Sequence, residues 1–402
     1  MHIAFITNEY VTEEKFDGGL ANYLYRMGLA LVRRGHNVEI FTLSDRDENF
    51  YQSEILVHRV KRNTRFRSLL NRATRWKLTE LAGVIAASYA LRSRVISRHR
   101  QSPFDIVQAA SYRAVGFGLT RAFPVPLVVR ISSYEKLWRE TNREENTREQ
   151  RMIEWLELYV CRQSKAVYSP SQLLADFLDR ETGLRVDVIQ NPFAMELEKL
   201  DDSVFEQHCK SFRYLLFFGT ICFLKGFAVL ADAVGLILSQ QPDLHVVCVG
   251  RICDGPDGLS MLEYIYRQAG SHKDRVHYLG ILPHEKLYPV ISGANAVALP
   301  SLMDNMPNTC LESMALGRVV IGTQGASFEE IIEDGKTGFL VPPGDVYALA
   351  NAIRSVWHMS DDAREAIGES ARMRVSTLGS GIACAGLEDY FQQLFPKRKI
   401  WN

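Results

Sequence analysis

The 402-residue sequence has no excess of charge of either sign and no long hydrophobic run. Its 47 basic residues balance 47 acidic ones, so the overall charge gives no support for a nucleic-acid partner. The longest apolar run, residues 81–91, is far too short to cross a bilayer. Residues 1–7 have no basic region or long apolar core, so they predict a first strand rather than a signal peptide. We therefore expect a cytoplasmic chain.

Residues that would indicate other kinds of site are also scarce. The seven cysteines are odd in number and scattered, which predicts a reducing compartment rather than a disulfide framework. The histidines have no metal-ligand spacing, so we expect no bound metal. Gly18-Gly19 follows the first strand without the three-glycine fingerprint of nicotinamide-binding proteins, and we expect no cofactor. Ser169 precedes a proline and Ser301 follows one, and neither forms a nucleophile elbow, so a hydrolase is not indicated.

The apolar pattern divides the chain into two similar halves. The length suits two domains of roughly 200 residues each. Short apolar strands alternate with amphipathic helices in both halves, and Asn191-Pro192 is a natural break between them. We predict an α/β protein with two doubly wound, Rossmann-like domains facing across a ligand-binding cleft. The predicted boundaries are residues 1–190 for the first domain, 191–378 for the second, and 379–402 for a C-terminal helix.

Residues 299–317 are the most informative stretch. A buried strand is predicted to end at Pro300-Ser301, and a helix is predicted to run from near Pro307 to Gly317. At the carboxyl end of a parallel strand, a helix N-terminus offers free N–H groups to a phosphate. The stretch therefore predicts an anion site.

Two carboxylates belong to the same stretch, Asp304 before the helix and Glu312 in its predicted first turn. They are placed to bind hydroxyl groups of a ligand whose phosphates face the helix. Thr309 and Glu312 also fit a capping box, in which Glu312 would only cap the helix. Both interpretations are open at this point.

A basic segment covers residues 59–100, where twelve Lys or Arg residues accompany one acid, Glu80. Phe66, Leu69, Leu70 and Trp76 lie among them, which favours basic amphipathic helices on an anionic membrane surface. A solvated helix face and a basic cradle for a phosphorylated acceptor fit the same residues.

Several motifs follow one another in order along the chain. They are Gly18-Gly19, Gly219 with Lys225-Gly226, Val249-Gly250, Tyr278-Leu279-Gly280 and Pro300-Ser301-x-x-Asp304-x7-Glu312-x-Met314-Ala315-x-Gly317. Together they resemble the family-4 retaining glycosyltransferases, which have the GT-B fold. The resemblance implies metal-independent transfer of a sugar from a nucleotide-sugar to an acceptor, with retention of anomeric configuration. It also implies that the C-terminal helix returns to the first domain.

The resemblance implies roles for particular residues. Lys225, Asp304 and Glu312 would be catalytic, with Lys225 and the helix N-terminus stabilising the charge on the departing diphosphate. Glu312 would also hold the ribose hydroxyls, and Ile281 would lie beside the base. The implied donor-binding residues are Gly18, Gly19, Gly219, Thr220, Lys225, Arg251, Ile281, Asn305, Pro307, Asn308, Thr309 and Glu312. The acceptor-side residues are Asn8, Tyr112, Arg130 and Ser132.

The sequence departs from the family pattern at three positions. Asp304 stands where the common acid is Glu. Thr220 stands where an Arg usually binds phosphate, and Arg251 or Arg130 is the candidate replacement. Ser132 stands where many members have a His. A mechanism in which the departing phosphate takes the acceptor proton does not need that His.

We therefore predict a retaining glycosyltransferase that uses a UDP- or GDP-sugar. The acceptor would be a glycan, a glycolipid or a small molecule, and the basic segment would bind the inner face of a membrane. The alternatives are a nucleotide-sugar epimerase on the same fold and a catalytically impaired nucleotide-sugar-binding protein.

Overall fold

The computed structural model describes residues 1–13, 19–121, 123–142, 145–193, 195, 197 and 199–394, so Gly18 lies outside the described residues. The described chain forms two compact units. The first unit contains the chain up to Glu140, residues 145–192 and the chain from Ser380 onward. The second unit contains Thr141, Asn142 and the residues between Phe193 and Gly379.

The described part of the first unit contains an eight-stranded sheet. Its strands are β1 (His2–Thr7), β2 (Asn37–Ser44), β3 (Glu48–Gln52), β4 (Ile55–Lys61), β5 (Ile106–Ala110), β6 (Leu127–Arg130), β7 (Ala166–Ser169) and β8 (Asp187–Val188). Its helices are α1 (Gly19–Arg33), α2 (Thr64–Ala73), α3 (Thr79–Gln101), α4 (Glu135–Asn142), α5 (Arg148–Gln163) and α6 (Gln172–Thr182). The strand order is β3-β4-β2-β1-β5-β6-β7-β8, and every pair except β3 with β4 is parallel.

The described part of the second unit contains a six-stranded, fully parallel sheet. Its strands are β9 (Arg213–Phe218), β10 (Leu244–Val249), β11 (Val276–Tyr278), β12 (Ala296–Ala298), β13 (Val320–Thr323) and β14 (Phe339–Val341). Its helices are α7 (Ser203–His208), α8 (Phe227–Gln240), α9 (Met261–Ala269), α10 (His284–Gly293), α11 (Asn308–Ala315), α12 (Val346–Trp357) and α13 (Asp361–Ser376). The strand order is β11-β10-β9-β12-β13-β14.

Burial explains why the parallel strands can be predicted from the sequence. A parallel strand covered by helices on both faces is apolar along its whole length. Five of the six residues of β1 are buried, and β9 has the same pattern. The helices bury one stripe, as α1 does with Leu24, Met27 and Leu31 at helical spacing. The prediction of two doubly wound α/β domains is confirmed.

Both strand orders change direction beside the first strand of the unit. In the first unit, the chain goes from β1 to β2 on one side and later continues with β5 on the other. In the second unit, β9 is flanked by β10 and β12 in the same way. Ligands of open α/β sheets bind at the carboxyl ends of the strands at this point. Each unit therefore has one expected ligand position.

The C-terminal helix α14 (Ser380–Leu394) packs on the first unit. Leu387 and Phe391 are fully buried in that unit's core. Glu388 accepts hydrogen bonds from Arg34 Nε at 2.6 Å and from His36 Nε2 at 2.9 Å. The expected return of this helix to the first half of the chain is present in the structure.

The basic segment differs from its prediction at its start. Arg59 and Lys61 belong to β4 rather than to a helix. The Arg59 guanidinium donates to Glu13 and Glu48 at 2.8 and 2.6 Å, so it is bound in an ion-pair network. The remaining basic residues lie mostly on α2 and α3. Every helix that the structure describes is too short or too polar to span a bilayer.

Candidate active site

The candidate active site of the second unit is built on closely packed loops that follow β9, β10 and β12. Gly219 follows β9 and Gly250 follows β10, both with positive φ. A Cβ on Gly250 would lie 1.8 Å from the Gly219 carbonyl oxygen, and Gly250 N–H donates to the Gly280 carbonyl at 2.8 Å. These glycines let the backbone approach at the carboxyl end of the sheet.

Gly226 brings the loop after β9 against the loop after β12. Its φ is +67°, and a Cβ there would lie 1.7 Å from the Pro300 carbonyl oxygen. The Leu302 N–H donates to the Leu224 carbonyl at 2.9 Å and joins the same two loops. Their contact positions the charged side chains of both loops, Lys225 and Asp304.

Lys225 and Asp304 form an ion pair in this site. The Lys225 ammonium donates to Asp304 Oδ2 at 2.5 Å, with 30% of the Lys225 side chain exposed. Asp304 is buried, and its backbone is held by the Ser327 hydroxyl, which donates to the Asp304 carbonyl at 2.9 Å. Asp304 Oδ1 also accepts from Asn305 N–H at 2.9 Å. The sequence prediction places these two residues in one site, and the structure brings them together.

Helix α11 begins beside this pair, but its capping differs from the capping-box interpretation. The N-cap is Pro307, and no side chain caps the helix. Asn308 and Thr309 form the first turn, and Glu312 lies one turn further in rather than in the first turn. The capping box is therefore wrong. The dipole and N–H groups of the first turn remain suited to an anion.

Glu312 has a neighbour that the sequence analysis missed. It is buried, and its Oε1 lies 3.7 Å from His284 Nε2 at the start of α10. The sequence analysis gives His284 no role in the site. The signal available in the sequence is its position three residues after Ile281, just beyond the loop that follows β11.

Three further donor-side residues follow the strands β9, β10 and β11. Thr220 is half-buried, Arg251 is exposed directly after Gly250, and the Ile281 side chain is 70% exposed. An aliphatic side chain exposed at the carboxyl end of β11 offers an apolar surface for a planar group. A Cβ on Gly219 would lie 3.5 Å from Thr309 Cγ2, so α11 directly borders the loop after β9.

The acceptor-side residues lie in the first unit and follow different strands. Asn8 follows β1, and Tyr112 lies just after β5. Arg130 ends β6 and is buried, with its guanidinium 3.7 Å from the centre of the Tyr23 ring and one nitrogen donating to Asn191 at 2.7 Å. That packing makes Arg130 a core cation of the first unit.

Two further first-unit residues complete the predicted set. Ser132 lies two residues beyond β6 and is half-buried, and Gly19 begins α1. Within the described chain, no group of three His, Cys, Asp or Glu side chains is arranged to hold a metal ion.

Two family models match the chain, one in each half. "Glycosyltransferase Family 4" matches residues 17–197, and "Glycosyl transferases group 1" matches residues 212–359. Together they cover most of both units.

Three similar proteins all have the names of glycosyl-transferring enzymes. A D-inositol 3-phosphate glycosyltransferase of Corynebacterium urealyticum is 31% identical over 39% of this chain and 37% of its own length. An alpha-D-kanosaminyltransferase of Streptomyces kanamyceticus is 25% identical over 63% of this chain and 66% of its own length. A D-inositol 3-phosphate glycosyltransferase of Actinosynnema mirum is 26% identical over 88% of this chain and 87% of its own length. The chain thus spans well under two thirds of the first relative.

Solved structures have the same fold. Sucrose-phosphate synthase from Thermosynechococcus elongatus superposes with a TM-score of 0.80 at 21% identity, covering 98% of this chain and 99% of that one. Anabaena Alr3699/HepE, in complex with UDP and glucose, gives 0.72 at 18% identity, covering 98% and 100%.

The two doubly wound α/β units define a GT-B protein. The chain belongs to the family-4 glycosyltransferases.

Proposed function

We propose that this protein is a retaining glycosyltransferase that takes its sugar from a UDP- or GDP-sugar without a metal ion. The observation that carries the proposal is the ion pair of Lys225 and Asp304 in the loops at the switch point of the second sheet, next to α11, in which the buried Glu312 lies one turn beyond the N-terminus. A departing nucleoside diphosphate accumulates negative charge, which fixed cations and dipoles stabilise. Lys225 and the first turn of α11 supply both.

The buried carboxylates have separate roles in this proposal. Glu312 holds the ribose hydroxyls, and His284 lies within reach of the same carboxylate. Asp304 contacts the transferred sugar and orients Lys225 through their ion pair. The diphosphate of a bound nucleotide and the Asp304 carboxylate both contact the Lys225 ammonium. The diphosphate therefore lies next to the carboxylate that contacts the sugar.

The reaction proceeds on one face of the sugar. The bond between the anomeric carbon and the diphosphate oxygen breaks, and the acceptor oxygen bonds to the same face of that carbon. The acceptor proton passes to the departing diphosphate oxygen, so no side chain is required as a base. This route is compatible with Ser132 standing where many family members have a His.

The relatives support this proposal in their names, since the Corynebacterium and Streptomyces proteins are glycosyl-transferring enzymes. The Anabaena structure was solved with UDP and glucose, which supports a nucleotide-sugar as the donor class. The epimerase alternative gains no support from these comparisons. A glycan, a glycolipid or a small molecule is the proposed acceptor.

A thermal-shift screen tests the donor assignment. UDP, GDP, ADP and their sugars are added with EDTA present to the wild type, Lys225→Ala, Glu312→Ala and the control Lys210→Ala, whose exposed side chain pairs with Glu206 on the surface. A ligand at a hundred times its Kd stabilises the wild type by about 2.7 kcal/mol. We expect one nucleotide to shift the wild type and the control but neither site variant. Equal shifts in all four proteins would place the nucleotide elsewhere.

We also propose that α2 and the turn that follows it bind an anionic membrane surface. Leu69 and Trp76 are 63% and 60% exposed, and they lie among the exposed basic residues Arg65, Arg72 and Arg75. Apolar side chains interleaved with cations suit an anionic interface. Trp76→Ser should reduce sedimentation with phosphatidylglycerol vesicles while phosphatidylcholine vesicles bind neither protein. Unchanged sedimentation would exclude this surface.

A further inference from the structure

Asp304 lies beside backbone that is held in an uncommon conformation. The described part of the second unit contains three non-glycine residues with positive φ, which are Asp257, Met306 and Ser327. Met306 follows Asp304 by two residues, and Ser327 donates its hydroxyl to the Asp304 carbonyl. Such conformations are costly for residues with a side chain and persist where the surrounding structure fixes them. Two of the three are therefore concentrated at one carboxylate of the candidate active site.

Met306 is fixed by its side chain and by the residue that follows it. Its φ is +72°, and its side chain is buried in the same core cluster as Ala326 and Phe328. Pro307 comes next, and a residue before proline is disfavoured in the right-handed helical region. Helix α11 therefore does not extend back to Asp304, whose carboxylate remains in the loop.

Ser327 is fixed by its two neighbours along the chain. Ala326 and Phe328 are both fully buried. A Cβ on Gly322 would lie 2.6 Å from Phe328 Cδ1, so the chain after β13 folds back closely against its own strand. Ser327 lies in this turn with a φ of +61°, and only 1% of its surface is exposed. Its hydroxyl is thus held in one place.

The bond from Ser327 holds the main chain of Asp304, while other groups hold the side chain. The hydroxyl donates to the Asp304 carbonyl at 2.9 Å, and Asp304 Oδ2 accepts from Lys225 at 2.5 Å. Asp304 Oδ1 accepts from the Asn305 N–H at 2.9 Å. A rotation of the Asp304 backbone would therefore break the bond to Ser327 and turn the carboxylate away from Lys225.

We propose that Ser327 is a positioning residue of the active site, and that it acts through Asp304 on Lys225. Without its hydroxyl, the Asp304 backbone rotates, the carboxylate turns and the Lys225 ammonium loses its fixed place. A misplacement of about 1 Å in a positioned group costs on the order of a hundredfold in rate. The effect on sugar transfer rests on the proposed function, whereas the effect on the ion pair does not.

Chemical labelling of lysines tests the effect on the ion pair without any ligand. An ammonium held against a carboxylate reacts slowly with an N-hydroxysuccinimide ester, because it must leave its partner and lose a proton first. Mass spectrometry gives the labelling rate of Lys225. Lys210, which is exposed and pairs with Glu206, is the reference lysine within each protein.

The labelled proteins are the wild type, Ser327→Ala, Asp304→Asn, their double variant and the control Ser239→Ala. Ser239 donates its hydroxyl to the Leu236 carbonyl at 2.9 Å, so the control loses a bond of the same kind and length. Ser239 lies near the end of α8, whereas Lys225 precedes the start of that helix.

We expect Lys225 to react faster when Ser327 loses its hydroxyl. A partly exposed ion pair is weak, so the increase in Ser327→Ala should be roughly threefold, with Ser239→Ala equal to the wild type. Asp304→Asn should show at least the same increase, and the double variant no further one, because Ser327 acts through the Asp304 carboxylate. An unchanged rate in Ser327→Ala would overturn the inference. Effects that multiply in the double variant would also overturn it.

Ser327→Gly separates positioning from stability. Glycine removes the hydroxyl and also the cost of the positive φ. Ser327→Gly should therefore melt at no lower temperature than Ser327→Ala, and its Lys225 should react as fast as in Ser327→Ala. If Ser327 served stability alone, labelling would be faster only in the less stable variant. A wild-type labelling rate in Ser327→Gly would contradict the positioning role.

Kinetics with UDP-glucose and GDP-mannose extend the test to the reaction. Lys225 stabilises charge that develops on the departing diphosphate, so its misplacement should lower kcat rather than raise the donor KM. We expect Ser327→Ala to lose about 10–100-fold in kcat. Faster labelling with an unchanged kcat would contradict the proposed role of Lys225 and support the positioning by Ser327. If neither donor is turned over, the proposed function fails for these donors, while the labelling rates still decide the role of Ser327.

Discussion

Replacing Gly226 with alanine tests the contact that assembles the candidate active site. Two costs are expected. An L-residue at φ +67° costs about 1–2 kcal/mol. The added Cβ would also lie 1.7 Å from the Pro300 carbonyl oxygen, a backbone atom that moves only with its loop. Overpacking of this kind costs about 1–3 kcal/mol. Gly226→Ala should therefore lose roughly 2–5 kcal/mol of unfolding free energy.

Gly344 provides a matched control. Its φ is +72°, and a Cβ there would meet no atom within 4 Å. Gly344→Ala should show the conformational cost alone, so the difference between the variants isolates the contact with Pro300. An extra 1–3 kcal/mol corresponds to a melting temperature roughly 2–12 °C below that of Gly344→Ala.

The same change should weaken nucleotide binding. Relieving the overlap separates the loop of Lys225 from the loop of Asp304, and their 2.5 Å ion pair opens. Scanning calorimetry gives the melting temperatures, and titration with the nucleotide found by the thermal screen gives the affinities. If Gly226→Ala melts at the same temperature as Gly344→Ala, the two loops do not meet as described and the reasoning fails.

Three further predictions concern the first unit. Burial, followed by the charge of Glu135, raises the pKa of Glu157 to about 8. The unfolded chain therefore releases this proton at lower pH than the folded chain does. The free energy of unfolding consequently falls as the pH rises from about 4.5 to 8. Glu157→Gln should remove roughly 3 kcal/mol of that fall, and urea unfolding at pH 5 and pH 8 measures it. Glu39 is buried and accepts hydrogen bonds from three cationic or imidazole groups, so Glu39→Ala should cost about 3–5 kcal/mol in urea unfolding at neutral pH; a cost below 1 kcal/mol would contradict the network. Phe391→Ala should cost about 3–5 kcal/mol by loosening α14, whereas the exposed Tyr347→Ala should cost less than about 0.5 kcal/mol; equal melting temperatures would refute this packing.

The parallel core of the fold is predictable from the sequence because it is apolar throughout. Strands such as β9 and β12 are buried on both faces, and the pattern identifies them without any knowledge of their partners. The antiparallel hairpin of β3 and β4 was not predicted. Strand β3 lies at the sheet edge and is mostly exposed, and its turn uses Ser53 at φ +53° rather than a glycine or asparagine.

Some residues of the candidate site were predictable from the sequence, but the contacts between them were not. Lys225 and Asp304 were named from their motifs, but their ion pair depends on the close approach at Gly226, which only the folded backbone shows. His284 was missed because its nearness to Glu312 joins two different helices, α10 and α11. The sequence analysis places Arg59 in a helix, because its partner Glu13 lies 46 residues away along the chain and leaves no local pattern. Local periodicity carries no information about such pairs.

The most direct test of the central claim is proton NMR of donor turnover. Donors with an α-linked sugar, such as UDP-glucose and GDP-mannose, are incubated with EDTA and a panel of acceptors that includes phosphomonoesters. We predict that one donor is consumed and that the new glycosidic bond is α, with turnover lost in Lys225→Ala and kept in Lys210→Ala. A β product would contradict retention, and unchanged turnover in Lys225→Ala would contradict the site. If no donor is consumed although a nucleotide binds, the impaired binding protein is the better account.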